Sequence, residues 1–402
     1  MITPMELSGT ARLSPPVSPA SVRVVRAGEL EGHLEAWQQL SDCALFPNIA
    51  YEPWMALPVL QACSSTDQLY FLLVFGPEDK ELWGFIPLEK QSRCLHLPIR
   101  NLAFWQHRYC YVTAPLLHAS HAREALDAFW RWFETNGVGA RVLDTNWLLA
   151  DGEFHKLWID FAIGRVSLML NDFPRALYRS DKPLAEYLSH SVSRKSQLEF
   201  QRRERRLAEL GALEYRTVNA PCQVDAWLED FLKLEAAGWK GETGGRAFAA
   251  YEPDAEYFRT ITREAFRRGR VMLLSLTLDG KPIAMRHTLL AGEGAFAFRT
   301  AYDETYAKYS PGTLLELEVM RRLRQNPGVR WMDSCAAPRH VLLNRIWRER
   351  RMIRRSLFSN GSIAGDLLLS ILPLIRWAGK LVRPNNNPRY LQISTHSQGD
   401  LS

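Results

Sequence analysis

The sequence of 402 residues lacks the short motifs that mark several common kinds of enzyme. It has no Walker loop and no GxGxxG pattern, which argues against the usual triphosphate and dinucleotide sites. Its six cysteines include no CxxC pair, and His118 and His121 have no further ligand pair at zinc spacing. We therefore expect buried, reduced thiols in a cytoplasmic protein, and no metal site.

Long apolar runs are also missing, since the longest one near the end, residues 367–375, is too short to span a bilayer. In the segment around it, Arg376, Lys380 and Arg383 are interspersed with apolar residues, a combination typical of an interfacial membrane helix, although Pro373 and Gly379 weaken the helical pattern. This tail either contacts the inner face of a membrane peripherally or docks on the protein body. Residues 1–20 are rich in proline and serine, which predicts a disordered tail rather than a signal peptide.

The composition that remains is that of a large folded protein. Hydrophobic residues make up 47% of the chain and aromatic residues 11%, which supports large cores and two or more domains. The net charge of +6 is mild and suits an anionic cofactor, a nucleic acid or an anionic membrane equally well.

The most informative segment is residues 294–327, which predicts a strand, an irregular loop and a helix. Ser310 is a favourable N-cap residue, Pro311 suits the first helical position, and Gly312 allows close approach to the backbone. Free N–H groups at a helix start bind anions, so Ser310, Pro311, Gly312, Thr313 and Leu314 predict a phosphate-binding turn.

Other motifs surround this turn in a recognisable order. Two apolar strands flank the hairpin signal Asp279-Gly280, and a short strand and a helix follow residue 327. The chain here resembles the Gcn5-related N-acetyltransferase (GNAT) superfamily and, more closely, the BioF2-like or CelD-type acyltransferases, relatives of the Fem peptidyltransferases. The resemblance covers residues 187–359 and rests on Trp239-Lys240-Gly241, residues 279–284, Tyr302-Asp303, Ser310-Pro311-Gly312, Asp333-Ser334-Cys335, His340, Asn344, Arg345 and Trp347.

The first half of the chain repeats the order of elements of the second half. This predicts an α/β protein with two tandem GNAT folds, each a mixed central sheet flanked by helices, the first copy being degenerate because it has Ala114-Pro115-Leu116-Leu117 in place of the phosphate turn. The predicted divisions are a tail at 1–20, a degenerate domain at 21–170, a linker at 171–183, an acetyltransferase domain at 184–360 and an apolar, basic tail at 361–402.

The resemblance implies acetyl-CoA or a longer acyl-CoA as co-substrate, held between the fourth and fifth strands, with the phosphates on the Ser310 turn and on an arginine cluster that includes Arg345. It implies direct acyl transfer without a Cys335 acyl-enzyme. The candidate base is His340, then Asp333, then Asp303, and Tyr309 is a candidate proton donor to the leaving thiolate. Glu235, Trp239, Lys240 and Arg286 are the predicted acceptor-side residues.

The predicted function is N-acylation of a small-molecule or lipid amine of the cell envelope, such as an amino sugar, an amino lipid or a sphingoid-type base. One alternative is a Fem-like transferase that uses aminoacyl-tRNA, for which the basic segment 193–210 would bind RNA. Nucleic-acid binding is nevertheless the less favoured prediction, because this segment lacks interleaved aromatic residues. A further alternative is a non-catalytic scaffold in polysaccharide biosynthesis. The sequence leaves the oligomeric state open.

Overall fold

The structure is a computed structural model that describes residues 20–382, except 64, 180–181, 239–240, 242–246 and 339. The strands are β1 (Ser21–Val25), β2 (Leu69–Phe75), β3 (Leu82–Gln91), β4 (Asn101–Phe104), β5 (Leu116–Leu117), β6 (Val142–Asp144), β7 (Leu148–Leu149), β8 (Ser167–Arg179), β9 (Leu213–Thr217), β10 (Val271–Leu278), β11 (Lys281–Ala291), β12 (Gly294–Tyr302), β13 (Trp331–Asp333) and β14 (Glu349–Ser359). The helices are α1 (Leu34–Asp42), α2 (Pro53–Ala62), α3 (Ala122–Thr135), α4 (Gly152–Ala162), α5 (Leu184–Ser191), α6 (Arg194–Ala208), α7 (Val224–Ala237), α8 (Glu252–Arg267), α9 (Pro311–Arg324), α10 (Val341–Ile346) and α11 (Ile363–Val382).

The strands form one continuous mixed sheet flanked by helices. Its order is β1-β2-β3-β4-β6-β14-β8-β13-β12-β11-β10-β9, with β5 beside β3 and β7 beside β14. Each end of the sheet has antiparallel strands that lead to one parallel pair, β4 with β6 in the first half and β12 with β13 in the second. The mixed α/β fold class is confirmed, but the two halves share a single sheet instead of forming one sheet each.

The two halves exchange their central strands. β8 follows α4 of the first half but pairs with β13 of the second, with Tyr178 opposite Met332. Conversely, β14 follows α10 of the second half but pairs with β6 of the first, with Phe358 opposite Leu143. The two exchanged strands also pair with each other, from Glu349 opposite Leu177 to Phe358 opposite Ser167. Each half therefore completes its sheet with a strand from the other.

The exchange corrects the predicted linker. Residues 171–179 of the segment 171–183 lie in β8, a strand of 13 residues at the centre of the sheet. Residues 180–181 lie outside the described residues. A division at this segment would therefore cut through shared strands and would not separate two independent bodies.

Side chains also join the two halves. Tyr109, in the segment between β4 and β5, stacks on Tyr257 of α8 with ring centroids 4.1 Å apart. The Tyr109 hydroxyl donates a hydrogen bond to Asp254 (2.8 Å), which also pairs with Arg108. Glu52, at the N-cap position of α2, is fully buried and accepts a hydrogen bond from Arg270 Nη2 (2.5 Å) of the second half.

The predicted C-terminal tail begins as a helix. α11 covers residues 363–382 and packs on the end of β14 through Leu369 and Leu372. Within the described part of the chain, no helix is both long and apolar enough to cross a membrane. Arg383 and the predicted N-terminal tail at residues 1–19 lie outside the described residues.

Candidate active site

The predicted phosphate turn joins β12 to α9. After Asp303, residues Glu304–Tyr309 form a 3-10 segment, and Ser310 adopts a left-handed conformation (φ 52°, ψ 55°) before Pro311 begins α9. Ser310 and Pro311 thus hold the N-cap and first helical positions, as predicted. The Ser310 side chain does not cap the helix, because its Oγ instead accepts a hydrogen bond from Arg203 Nη1 of α6.

The backbone of this turn offers fewer free donors than the sequence predicts. The Thr313 and Leu314 amides donate to the Ser310 carbonyl (2.9 and 3.2 Å), and the Ser310 amide donates to Ala307 (2.9 Å). Among the described residues, the Gly312 amide has no hydrogen-bond acceptor. A Cβ at Gly312 would have Tyr302 Cδ1 as its nearest neighbour, at 3.7 Å, so the space beside this glycine is open.

Helix α6 borders the turn with positive charge. Arg203 contacts Ser310 and also pairs with Glu199 (2.9 Å), which Arg202 holds as well (2.7 Å). Hydrogen bonds from these two arginines lower the pKa of Glu199 to about 2. Several other cations of α6 are exposed, namely Arg194, Lys195, Arg205 and Arg206. The turn is therefore flanked by a basic helix that a polyanion could approach.

The arginine cluster predicted to hold phosphates is dispersed. Arg345 lies against α6, where its Nη2 donates to Ser196 Oγ (2.5 Å). Further along β14, arginines pair instead with carboxylates: Arg351 with Asp333, Arg354 with Asp172 and Arg355 with Asp144. Of these four arginines, Arg345 is the one placed near the basic helix.

β12 and β13 diverge after a short paired stretch, and the gap between them is called the cleft below. The two strands pair only over Gly294–Phe296, opposite Trp331–Asp333. β12 then continues along β11 to Tyr302, whereas the chain after β13 follows β8, with the Ser334 amide donating to Ala176 O (3.1 Å). Within the described residues, no strand pairs with residues 297–302 on the β13 side. At roughly 3.3 Å per residue, this open edge is about 20 Å long.

A bulge lies next to the point of divergence. His287 and Thr288 of β11 face Arg299 and Ala297 of β12, so Phe298 is an extra residue in the ladder. A β-bulge bends its strand and leaves backbone groups unpaired. The ladder between β11 and β12 is therefore interrupted close to the point where β12 leaves β13.

Asp333 sits at the inner end of the cleft in a buried charge cluster. Its Oδ2 accepts from Arg351 Nη1 (3.1 Å), and its Oδ1 accepts the Cys335 amide (2.8 Å) and lies 3.7 Å from Arg175 Nη1. Arg175 is fully buried, and its Nη1 donates to Tyr111 O (2.8 Å). Both carboxylate oxygens of Asp333 are thus engaged by structural partners.

Cys335 follows Asp333 with a left-handed backbone (φ 54°). Burial and the neighbouring Asp333 raise the pKa of its thiol well above the ordinary value. A neutral thiol is a poor nucleophile, so the environment disfavours a covalent acyl-enzyme at this residue.

His340 lies past β13, at the N-cap position of α10. Its Nδ1 accepts the Leu343 amide (3.2 Å). With Nδ1 engaged as an acceptor, the neutral ring carries its proton on Nε2. The ring can therefore take up a second proton at Nδ1 only by giving up the helix cap.

Asp303 and Tyr309 lie at the outer end of the cleft. Asp303 caps the 3-10 segment, with Oδ1 accepting from the Thr305 amide (3.0 Å) and hydroxyl (2.6 Å). The half-buried Tyr309 ring has Lys308 Nζ 5.0 Å from its centroid. Since about 20 Å of strand separates this end from Asp333, the structure does not bring the four predicted catalytic residues together.

The predicted acceptor residues fall on both faces of the sheet. Glu235 of α7 is buried, accepts the Phe248 amide (2.9 Å) and lies 3.8 Å from Arg299 Nη1, next to the bulge. Arg286 is buried against α9, 3.2 Å from Glu316, and donates to Thr300. Trp239 and Lys240 lie outside the described residues.

Arg175 and Arg299 of this region are not predicted by the sequence analysis, and Arg203 is predicted only as one of the basic residues of segment 193–210. Arg175 was not identified because its segment was predicted to be a linker. The apolar run Ala176-Leu177-Tyr178 beside it was an available strand signal. Arg299 stands out as a charge inside an aromatic strand and could have been identified. Nothing local in the sequence relates Arg203 to Ser310, which is 107 residues away.

The helix start in the first half that corresponds to the phosphate turn is not open in the way that the Gly312 turn is. α3, which corresponds to α9, begins at Ala122 after His121, so the matching turn is residues 118–121 and not the predicted Ala114–Leu117 segment. This helix start is covered, because His121 stacks on Trp83 with ring centroids 4.2 Å apart. In the described chain, no three His, Cys, Asp or Glu side chains are grouped to hold a metal ion.

Comparison with known proteins identifies the second half. Residues 194–340 match the acetyltransferase (GNAT) domain family. No curated protein sequence matches the chain. Similar solved structures include FemX (10% identity, TM-score 0.49, 81% of this chain and 95% of that one), the C-terminal domain of a putative lysylphosphatidylglycerol synthetase from Agrobacterium fabrum (14%, 0.48, 86% and 97%), and a tandem GNAT protein from the clavulanic acid biosynthesis pathway (15%, 0.43, 85% and 99%).

These structural similarities are too distant to bear on function, so the assignment rests on the domain match and on the order of elements around the cleft. Residues 194–340 of this mixed α/β chain form a GNAT-type acetyltransferase domain.

Proposed function

We propose that the second half of the chain transfers an acyl group directly from a coenzyme A thioester to an amine. The observation that carries this proposal is the divergence of β12 from β13, which leaves residues 297–302 with an open backbone edge between the bulge and the Gly312 turn. An extended ligand can pair with such an edge as an added strand, which suits the amide groups of the pantetheine arm.

The inner end of the cleft is the proposed place of chemistry. The acceptor nitrogen forms a bond to the thioester carbonyl carbon, the carbon–sulfur bond then breaks, and the thiolate leaves and takes up a proton. Backbone N–H groups near the Phe298 bulge are suited to stabilise the oxyanion that forms in between, because they are fixed before the reaction begins.

The outer end is the proposed phosphate site. The Gly312 amide and the α9 dipole favour an anion there, and the Arg203 guanidinium beside Ser310 adds a charged donor. Thr313 and Leu314 are buried beneath the turn, so their proposed contribution is to the backbone shape and not to side-chain contacts.

Proton removal from the acceptor is assigned in this proposal to Glu235. This buried carboxylate lies 3.8 Å from Arg299, the residue next to the bulge. His340 is the second candidate for the base, because protonation of its Nδ1 would break the hydrogen bond from the Leu343 amide that caps α10. Asp333 is held by two arginines, and Asp303 lies at the phosphate end, where a base would be far from the thioester.

The proposed acceptor is an amine of the cell envelope, as the resemblance to the BioF2-like and CelD-type acyltransferases implies. An amino sugar, an amino lipid and a sphingoid-type base are the three classes to be compared. This level of detail rests on the resemblance alone.

The test is isothermal titration with acetyl-CoA and with palmitoyl-CoA below its micelle concentration. We expect the wild type to bind one of them, and Gly312→Glu to bind it at least about tenfold more weakly, because a carboxylate there repels the phosphates. Gly312→Ala is the matched control and should bind nearly normally, since its Cβ has only a 3.7 Å contact with Tyr302. Failure of the wild type to bind either thioester would rule out the mechanism.

A second candidate is a Fem-like transferase that uses aminoacyl-tRNA, and the observation that favours it is the exposed basic face of α6 beside the turn. Binding of tRNA with a steep salt dependence, together with no binding of acyl-CoA, would select this candidate. Acyl-CoA binding without turnover on any of the three amine classes would instead favour a non-catalytic scaffold.

A further inference from the structure

Helix α11 is fixed to the body of the protein at its first turn. The Gly365 amide donates to Ser362 Oγ (3.1 Å), and the Asn360 amide donates to Arg141 O (3.1 Å). A Cβ at Gly365 would lie 2.7 Å from Ser359 Oγ and 3.0 Å from Arg141 O, so this glycine permits the close approach of the helix. α11 is therefore a docked element with a defined orientation.

One face of α11 is buried and the opposite face is exposed to solvent. Leu369 and Leu372 pack with Leu357, Val142 and Cys94. On the other side, large apolar side chains recur at the three- and four-residue spacing of a helix stripe. They are Ile363 (82% exposed), Leu367 (56%), Ile371 (48%), Leu374 (64%), Ile375 (41%) and Trp377 (63%).

Exposed basic residues lie in the segments on which α11 packs. Arg93, Arg100 and Arg141 are exposed, and each is adjacent in sequence to a residue that packs in the cluster under α11, namely Cys94, Ile99 and Val142. The helix sequence contains one acidic residue, the half-buried Asp366, against Arg376 and Lys380. We call Arg93, Arg100 and Arg141 the rim arginines; an apolar stripe accompanied by such exposed cations is complementary to a surface that is apolar inside and negatively charged outside.

We propose that α11 is a peripheral membrane-binding helix that lies in the interface of an anionic lipid surface with this stripe embedded. Because the described chain has no helix that could cross a bilayer, the stripe is a surface contact and not a span. A symmetric pair of chains is a poorer occupant, since a two-fold contact through this face would bring the two sets of rim arginines together.

The proposal is independent of acyl transfer and is tested without a substrate. Purified wild-type protein is sedimented with vesicles of phosphatidylcholine alone and with vesicles in which a third of the lipid is phosphatidylglycerol. We expect binding to the anionic vesicles that weakens as salt is added, and much less binding to the neutral ones.

Two variants test the stripe and the rim separately. Ile371→Glu combined with Leu374→Glu should weaken binding to anionic vesicles at least about tenfold, because each change places a charge in the embedded face. Arg93→Ala combined with Arg100→Ala should reduce the preference for anionic lipid and its salt dependence. Leu210→Glu, at another exposed leucine outside α11, is the matched control and should leave vesicle binding unchanged.

Size-exclusion chromatography with light scattering measures the oligomeric state and can therefore contradict the proposal. A concentration-dependent dimer that the Ile371→Glu, Leu374→Glu variant abolishes, with no vesicle binding by the wild type, would overturn the proposal and make this face a contact between copies. Equal loss of vesicle binding in Leu210→Glu would also overturn it, because the effect would not be specific to α11.

Discussion

At the scale of single residues, Glu235 and His340 are the two candidates for the base, and substitutions at these positions can distinguish a catalytic role from a structural one. Glu235 is a buried carboxylate next to Arg299 and the bulge of β12. His340 satisfies a backbone amide at the start of α10, where a serine could do the same. The two residues can therefore be compared with substitutions that keep their local hydrogen bonds.

We expect Glu235→Gln to lower kcat by about a hundredfold or more, because it removes the proposed base but keeps the shape of the side chain. Acyl-CoA affinity, measured by titration, should stay close to that of the wild type and shows that the fold is intact. His340→Ser should retain kcat within a few-fold, whereas His340→Ala should lose about 1 kcal/mol of stability through the lost cap.

The opposite pattern would identify His340 as the base. In that case His340→Ser would lose activity while it unfolds at the wild-type denaturant concentration, and Glu235→Gln would remain active. A pH–rate profile of the active variant would then report the titration of the remaining group.

At the scale of elements, α6 and α9 meet at the phosphate turn through one side chain. Arg202 and Arg203 both pair with Glu199, but of the two only Arg203 donates a hydrogen bond to Ser310. Replacing either arginine with alanine changes the net charge of α6 by the same amount. The two substitutions can therefore be compared directly.

Arg203→Ala should raise the KM for acyl-CoA several-fold with a smaller change in kcat, since the guanidinium is placed for binding and not for the chemical step. Arg202→Ala should have a clearly smaller effect on KM. Steady-state kinetics over a range of acyl-CoA concentrations checks both. Equal effects of the two substitutions would show that α6 acts through its general charge and not through the contact with Ser310.

Elements with strong local patterns were predictable from the sequence. α7 and β2 are examples, because regular apolar spacing and turn residues at each end are local signals of a helix and of a strand. The α9 start was predictable for the same reason, from Ser310, Pro311 and Gly312.

Most of β8 could not be recognised in this way, although its end contains the apolar run Ala176-Leu177-Tyr178. Its first half is partly exposed and contains Asp172 and Pro174, which are unusual in a central strand. The position of α6 beside the turn could not be predicted from the local sequence either. It is set by contacts between residues far apart in the chain, such as Arg203 and Ser310. The candidate site was therefore predictable at its turn and not at its flanks.

At the scale of the whole molecule, the halves are joined by buried polar contacts as well as by shared strands. Glu52 of the first half is fully buried and pairs with Arg270 of the second. Burial raises the pKa of Glu52 to about 7 from an ordinary 4.5, although Arg270 opposes the shift.

This pKa predicts how the stability of the assembled halves depends on pH. A carboxyl group with a raised pKa in the folded state stabilises the fold when it is protonated, so its contribution is greatest below pH 4.5 and is lost as the pH rises to about 7. Relative to Glu52→Gln, the wild type should lose up to about 3 kcal/mol of unfolding free energy across this window. Urea unfolding at several pH values measures the difference, and parallel profiles of the two proteins would contradict it.

The exchange of β8 and β14 has a consequence for how the chain is made on the ribosome. β6 leaves the ribosome long before β14, the strand that finally lies beside it. In the meantime β8 is available to the growing chain for that position, and an open strand edge is a ready site for pairing. A nascent chain that pairs β8 with β6 must release it again when β14 emerges, and the first half cannot complete its native sheet before β14 has been made.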